Sequence, residues 1–440
     1  MAKPAAPKKT DEPARPDGIT RISVAGFKSI VEEQSIEVRP LTILAGANSS
    51  GKSSIMQPLL LLKQTLEASY DPGALRLDGP NVRFTSADQF LSHTARGKHT
   101  DSFSIGIETT NEGKLTTYFR KQLGTPIEVQ RSAFSKGGYK SEIRPDLTED
   151  EIKLLLFIEH YDAMVIRERF FLNYAVRRHG DSSYLKVKAI PGEEIGRHIR
   201  ETIHIPGLRG NPERTYALAA VGKTFPGTFE NYVASVIAKW QAENDKENLE
   251  GVGEDLNELC LTSRVSAIPL NDTQVELQVA RLPREAKGKT SDMVSIADVG
   301  LGVSQTLPVV VALREARPGQ LVYLEQPEIH LHPRAQTAMA KVLADAAGRG
   351  VHVVAETHSA LLILGIQTLV AEGKLAPELV KLHWFERRNG ATTIKSADLD
   401  EAGSFGDWPE DFADIELEAQ SKYLDAVEAR ASRGKRRRAG

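Results

Sequence analysis

At 440 residues, with 40% hydrophobic and 26% charged residues, the chain can bury a full core as one large α/β domain with an insertion or as two domains. Its formal charge of −3 is near balance, which excludes a whole-molecule electrostatic case for nucleic acid and leaves only local ones. No apolar run approaches the roughly 20 residues that span a bilayer and no secretory leader is legible, so no membrane partner and a cytoplasmic location are expected.

In chain order, residues 1–18 are rich in Pro, Ala, Lys and Asp and read as a disordered tail. Ile19–Val24 and Ser35–Val38 read as two short strands, the first ending in the turn Gly26-Phe27-Lys28-Ser29. Leu41–Ala45 is a short buried strand, and Ser54–Leu66 a helix with an apolar section at Leu59–Leu62. Alternating runs between Ser102 and Ser141, such as Ser104–Glu108 and Leu115–Phe119, predict an antiparallel meander. Glu149–Arg178 and Asn231–Glu247 are helical in period and, with the region between them, form an insertion without a sustained heptad. The single cysteine, Cys260, cannot form an intrachain disulfide, and its neighbours Leu256, Leu259 and Leu261 predict a small buried apolar role. Arg433–Arg438 forms a short basic tail, either solvated or a weak phosphate-backbone contact.

Between that first buried strand and its helix lies Gly46-Ala47-Asn48-Ser49-Ser50-Gly51-Lys52-Ser53, a full match to the phosphate-binding loop pattern G-x-x-x-x-G-K-[ST]. The glycines let backbone N–H groups turn toward phosphate, Lys52 supplies a point charge, and the Ser53 hydroxyl can ligate Mg²⁺. The following helix offers its positive end to the same phosphates. A second cluster begins with Asp298-Val299-Gly300-Leu301-Gly302-Val303-Ser304-Gln305, a Gly-rich turn feeding a helix. The apolar run ending in Glu325-Gln326-Pro327-Glu328 reads as a strand that delivers a carboxylate to the phosphate crevice, where Glu325 would hold Mg²⁺. Another apolar strand, Val351–Ala355, ends in Glu356-Thr357-His358-Ser359, placing His358 to reach a terminal phosphate. His330 and His332 beside Pro333 read as capping and packing groups rather than zinc ligands. Arg209 and Arg214 flank a Gly-Asn-Pro turn and either meet phosphate from a neighbouring subunit or pair with carboxylates. Trp408, Pro409 and Phe412 are expected to anchor the C-terminal segment on the core, with partner docking as the alternative.

With these motifs in order, the chain resembles the ABC-type ATPases of the SMC, RecF and OLD-like group. Ile22–Ser29 is similar to their N-terminal strand and turn, Gly46–Ser54 to their Walker A, Gly302–Gln305 to a variant of their signature motif, and Val322–Gln326 to Walker B. Glu328–Pro333 resembles the D-loop and His358 the switch histidine. Gly207–Tyr216 and Gly406–Phe412 are similar to segments of a subfamily of bacterial AAA ATPases. The resemblance implies a P-loop NTPase head with a mixed sheet, an antiparallel N-terminal subsheet and a helical insertion. It divides the chain into a tail (1–18), an N-terminal half-head with meander (19–145), a mainly helical insertion (146–265), a C-terminal half-head (266–400), and a helical segment with basic tail (401–440).

It further implies ATP and Mg²⁺ as cofactors and a homodimer or higher homo-oligomer with shared ATP sites, Ser304 of one copy touching the phosphate held by another. The candidate catalytic set is Glu325, Gln326, Glu328 and His358. Gln326 stands where many relatives carry a glutamate, and an amide cannot act as a general base near neutral pH; either Glu328 or another carboxylate substitutes, or Gln326 only positions water, or hydrolysis is slow, and slow hydrolysis with a long-lived ATP-bound pair is the expectation. No Asp-rich nuclease cluster follows His358, so a separate effector, a nuclease or toxin, is the expected partner, with anti-phage defence as the setting implied by analogy. The alternative is a repair or maintenance ATPase that clamps DNA.

Overall fold

Two hydrophobic cores lie on opposite faces of one six-stranded sheet, and the two-residue alternation along its strands decides which side chain enters which core. The computed structural model describes residues 16–93, 100–122, 124–188, 192–281 and 292–406. The central sheet runs in the order β11 (Ile203–Ile205), β16 (Leu321–Glu325), β17 (His352–Thr357), β3 (Leu41–Gly46), β18 (Val380–Arg388) and β19 (Ala391–Ala397). The first five strands are parallel and β19 returns antiparallel. Leu41, Ile43, Val322, Leu324, Val353 and Ala355 enter one core. That core is roofed by α4 (Val233–Ala242), α5 (Lys246–Glu258), α6 (Leu301–Glu315), α7 (Pro333–Gly348) and α8 (Ala360–Ala371). Leu44, Tyr323 and Val354 face the other core, built with α1 (Lys52–Glu67) and α3 (Gly192–Glu201).

The second core is closed by an antiparallel sheet ordered β2 (Gln34–Glu37), β1 (Ile19–Ala25), β4 (Ser102–Thr109), β5 (Gly113–Lys121), β6 (Ile127–Lys136) and β7 (Tyr139–Ile143). These are the N-terminal strands and meander that the alternation predicts. Phe27 stacks on Phe90 at 5.2 Å between ring centroids and meets Phe103 edge-on at 5.5 Å. This aromatic cluster fixes the Gly26–Ser29 turn, in which Gly26 (φ 73°) and Lys28 (φ 51°) are both left-handed.

The insertion departs from expectation. Glu149–Arg178 is not one helical stretch: α2 (Glu149–Leu156) is followed by β8 (Tyr161–Glu168) and β9 (Phe171–Arg178), and with β10 (Leu185–Val187) these strands form a small sheet. The same region contributes β11, which pairs in parallel with β16 and aligns His204 with Tyr323. The remaining strands, β12 (Tyr216–Ala217), β13 (Val265–Asn271), β14 (Gln274–Ala280) and β15 (Met293–Ser295), form a further sheet beside α4. Asn231–Glu247 holds a 3₁₀ turn, α4 and the start of α5. Cys260 is exposed rather than buried, since it takes φ 57° at the end of α5 and points off the core. Pro16–Gly18, expected in the disordered tail, pack on the body: Asp17 bonds His198, and a Cβ on Gly18 would strike Gly319. Residues 1–15, the basic tail and the Trp408 segment lie outside the described residues. Among the described residues no helix is long and apolar enough to cross a membrane.

His383 ties the sheet beside the phosphate loop, with Nδ1 on Ser396 Oγ at 2.7 Å and Nε2 on the Glu37 carbonyl at 2.8 Å. Burial, the largest effect, takes its pKa from 6.5 down to about 4. In the interval between those values the unfolded chain binds a proton that the folded chain refuses, so this contribution to stability is complete above the unfolded value and is lost as pH falls. Between about pH 7 and about pH 5 the wild type should lose about 2 kcal/mol more than His383→Gln, measured by urea unfolding. Equal losses in the two proteins would contradict this.

Candidate functional site: a phosphate cradle at the carboxyl ends of parallel strands

Parallel strands end together, so residues distant in sequence meet at one sheet edge. Here β3, β16 and β17 deliver the phosphate loop, Glu325 and Glu356 to a cleft of about 790 Å³, which Lys52, Ser53, Gln326 and His358 also line. Gly46 leaves β3 at φ 142° and Gly51 takes φ 105° immediately before α1. A Cβ on Gly46 would lie 2.5 Å from the Phe385 carbonyl, and one on Gly51 would strike Thr392 Oγ1, so both glycines are needed by space as well as by dihedral angle. Ala47, Asn48 and Ser49 are exposed on the loop, Ser49 at φ 61°. Ser50 and Ser54 are buried beneath it. Thr392 braces the loop from below, donating at 2.7 Å to the Ser50 carbonyl. Lys28, carried by the aromatic turn, lines the same cleft.

Lys52 Nζ donates to the carbonyls of Gly46 and Ala47, each at 2.9 Å. Burial lowers its pKa to about 8, against the opposing pull of Glu356 and Glu328. The Ser53 hydroxyl donates to Glu356 Oε2 at 2.9 Å, and the Tyr323 hydroxyl donates to the other Glu356 oxygen. Burial, then the charge of Glu325, raises the Glu356 carboxyl to about 7. Glu325 has different partners: His204 Nε2 at 3.1 Å and the Gly207 N–H at 3.0 Å. Burial pushes its carboxyl up, but these bonds outweigh burial and hold it below the ordinary value.

Glu328 lies under the cleft rather than in its lining, accepting from Thr357 Oγ1 at 2.6 Å and the His358 N–H at 3.2 Å. Its second oxygen is buried without a partner, and burial raises its pKa. Gln326 sits at φ 47°, its N–H on the Glu356 carbonyl at 2.9 Å. His358 is half-buried, and burial followed by the Lys52 charge lowers its pKa against a bond to the Gly46 backbone. Ser304 stands apart: it is outside the cleft lining, 9% exposed, with Oγ donating to the Leu301 carbonyl at 3.2 Å. His332 caps α7, accepting from the Arg334 N–H at 3.4 Å.

The loop's positive-φ glycines, the buried Ser50 hydroxyl with no partner, and the hard oxygen donors Ser53, Glu325 and Glu356 fit a phosphate group with Mg²⁺. Among the described residues no group of three His, Cys, Asp or Glu side chains is arranged to hold a metal ion by itself; Ser53, a carboxylate, phosphate oxygens and water would hold a cation here. The sequence assigns no site role to His204, Gly207, Tyr323 or Glu356, although Glu356 closes an apolar strand as Glu325 does and Gly207 opens the segment likened to bacterial AAA ATPases.

Within the chain Arg209 bonds backbone carbonyls rather than a carboxylate. Buried at 5% exposure, it donates to the Gln305 carbonyl at 3.1 Å and the Glu325 carbonyl at 3.0 Å, and burial lowers its pKa to about 10. Arg214 pairs with the Asp298 carboxylate at 2.7 Å on the surface. Arg209→Ala, which strands buried carbonyls, should cost about 2–4 kcal/mol in urea unfolding, and Arg214→Ala less than about 1 kcal/mol. Equal costs would overturn this division.

Among solved structures the chain is similar to the SmcHead bound to the C-winged helix domain of ScpA, at 14% identity over 88% of this chain and 99% of that one, with a TM-score of 0.48. It is also similar to the SMC head domain from Thermotoga maritima, at 11% identity over 86% and 98%, with a TM-score of 0.40. A third likeness is the Smc head domain with a coiled coil and joint derived from Pyrococcus yayanosii, at 10% identity over 92% and 100%, with a TM-score of 0.47. None of the curated proteins compared with the chain matches it. The AAA_21 family, described as "AAA domain, putative AbiEii toxin, Type IV TA system", matches residues 41–364, a span that opens on β3 and closes within α8. With well over half its length matched and a phosphate loop at the head of a parallel sheet, the chain is a P-loop ATPase-type protein that belongs to the AAA_21 family.

Proposed function

We propose that the protein is a slowly hydrolysing ATPase whose ATP-bound state pairs two copies head to tail and thereby controls an effector protein. The observation that carries this reading is the convergence of Lys52, Ser53, Glu325, Gln326, Glu356 and His358 on one cleft, with the Gly300–Ser304 turn outside it. Such a cleft holds the phosphates of ATP from one side only. Ser53 and a strand-end carboxylate, assigned to Glu325 in the sequence, would hold Mg²⁺. When bound, the cation neutralises phosphate charge.

The first turn of α6, with its N-cap Gly300, is an element that would cover a phosphate on a second copy. The helix has no side-chain cap, its N-cap Gly300 and Leu301 are exposed, and its first amides are the fixed dipole that favours an anion. A site shared this way makes ATP a ligand of the pair, so nucleotide favours association by mass action. Gln326 supports slow chemistry, because its amide orients water without accepting a proton. The family description, a putative toxin of a type IV TA system, supports a defence setting, and the separate effector, a nuclease or toxin, is inferred from the sequence, where no Asp-rich nuclease cluster follows His358.

Ser304 is buried, so Ser304→Arg would disturb the fold as well as the pair. Leu301→Arg, at a position 46% exposed, is the cleaner test. Sedimentation velocity should show ATP-dependent association lost in Leu301→Arg while ATP binding to the monomer is unchanged; undiminished pairing would count against the shared site. For the chemistry, Gln326→Glu should raise single-turnover hydrolysis by about tenfold or more, since it restores a group that can accept the proton from water. Fast turnover in the wild type that survives Gln326→Ala would refute the slow-hydrolysis reading. Hydrolysis stimulated by DNA with a steep salt dependence, and unaffected by protein partners, would replace effector control with DNA clamping.

A further inference from the structure

The carboxylate expected at the cation and the carboxylate that stands beside Ser53 are different residues. Glu325 and Glu356 are in register on the neighbouring parallel strands β16 and β17, so both project at the same depth. They share the face occupied by Tyr323 and Val354, which is the face of α1 and therefore of Ser53. Depth alone does not separate them; their partners do.

Glu325 has both oxygens committed. Oε1 accepts from His204 Nε2 and Oε2 from the Gly207 N–H. His204 is itself fixed, 1% exposed and stacked on Tyr323 with rings 5.3 Å apart and 10° from parallel. Releasing Glu325 toward Ser53 would strand a buried imidazole and a backbone amide together, the costly way to break a hydrogen bond. Glu356 already has Oε2 against Ser53 Oγ at 2.9 Å, and the Tyr323 hydroxyl holds its other oxygen. Ser53 Oγ and Glu356 Oε2 are thus two hard oxygen donors held side by side at the start of α1, the donor type that Mg²⁺ would take.

Building on the nucleotide-binding reading above, we infer that Glu356 supplies the protein carboxylate of the Mg²⁺–nucleotide site beside Ser53. Glu325 instead anchors the Gly207 turn and His204 to the end of β16. Two consequences follow for the chain itself. The strand that leads into His358 also carries the cation ligand, so nucleotide binding acts on β17 as well as on the phosphate loop. Glu325 becomes the joint between the cleft and the Gly207–Arg214 loop, whose Arg209 reaches the Gln305 carbonyl in α6.

The test is equilibrium binding of a fluorescent ATP analogue to the full-length protein, with Mg²⁺ and in EDTA, for the wild type, Glu356→Gln and Glu325→Gln. Glu356→Gln should lose the affinity gain that Mg²⁺ gives the wild type, by about tenfold or more, while its affinity in EDTA stays within about threefold. Glu325→Gln should keep the gain to within about threefold. An Mg²⁺ gain that survives in Glu356→Gln, or disappears only in Glu325→Gln, overturns the assignment. No binding by the wild type under either condition would defeat the nucleotide reading itself, which is a separate outcome. If Glu356→Gln does not fold, Glu356→Cys decides: a gain with Cd²⁺ but not Mg²⁺ supports a ligand at this position, because thiolate favours the softer ion, and a retained Mg²⁺ gain overturns it.

Discussion

A lysine ammonium at the buried end of a parallel sheet must be met by oxygen atoms, and the rest of the site is organised around that requirement. Lys52 is 5% exposed and satisfied by two carbonyls of its own loop, with Glu356 and Glu328 close enough to act on it electrostatically. A buried cation without such partners would cost several kcal/mol. The loop must therefore fold back on the lysine, which fixes the left-handed glycines at 46 and 51 and makes the hairpin of β18 and β19 a floor on which the loop rests. Phosphate oxygens are the acceptors that could replace those carbonyls, and the same geometry then serves as a cradle.

Around this cation three glutamates have been given three environments. Glu325 is tied by donors and kept below the usual carboxylate range, Glu356 is buried between two hydroxyls near neutrality, and Glu328 is buried and raised with one oxygen unpartnered. Environments that push like groups apart are how one site gives similar side chains different work. Here the division runs between holding the fold of the Gly207 turn, meeting a cation at Ser53, and setting the geometry of Thr357 and His358 from beneath.

The parts of this arrangement that were legible in the sequence are those encoded locally. Four apolar residues around Thr42, a glycine-rich loop and a helix with an apolar section at Leu59–Leu62 specify β3, the cradle and α1, and the strand before Glu325 is equally plain. What remained hidden depends on contacts far along the chain. β11 is only three residues, Ile203-His204-Ile205, and becomes a strand because β16 offers it an edge. β8 and β9 were taken for helix because their connection, Arg169-Phe170, has no glycine or asparagine to mark a turn. Arg169 takes φ 53° there, with Asp71 holding its N–H and the Arg167 guanidinium. β9 is also buried continuously from Leu172 to Val176, which erases the alternation that would have named it a strand. Cys260 misled for a similar reason: its leucine neighbours are buried, but the left-handed end of α5 turns the cysteine outward.

The central claim is that the Gly46–Ser53 loop binds the phosphates of ATP by exchanging its own carbonyls for phosphate oxygens at Lys52. The most direct measurement is an experimental structure of the full chain with Mg²⁺ and a non-hydrolysable ATP analogue. The account predicts Lys52 Nζ released from the carbonyls of Gly46 and Ala47 and bonded at about 2.8 Å to phosphate oxygen, with the loop amides turned to the same group. Nucleotide bound elsewhere, or bound in the cleft with Lys52 still on its own carbonyls, would contradict it.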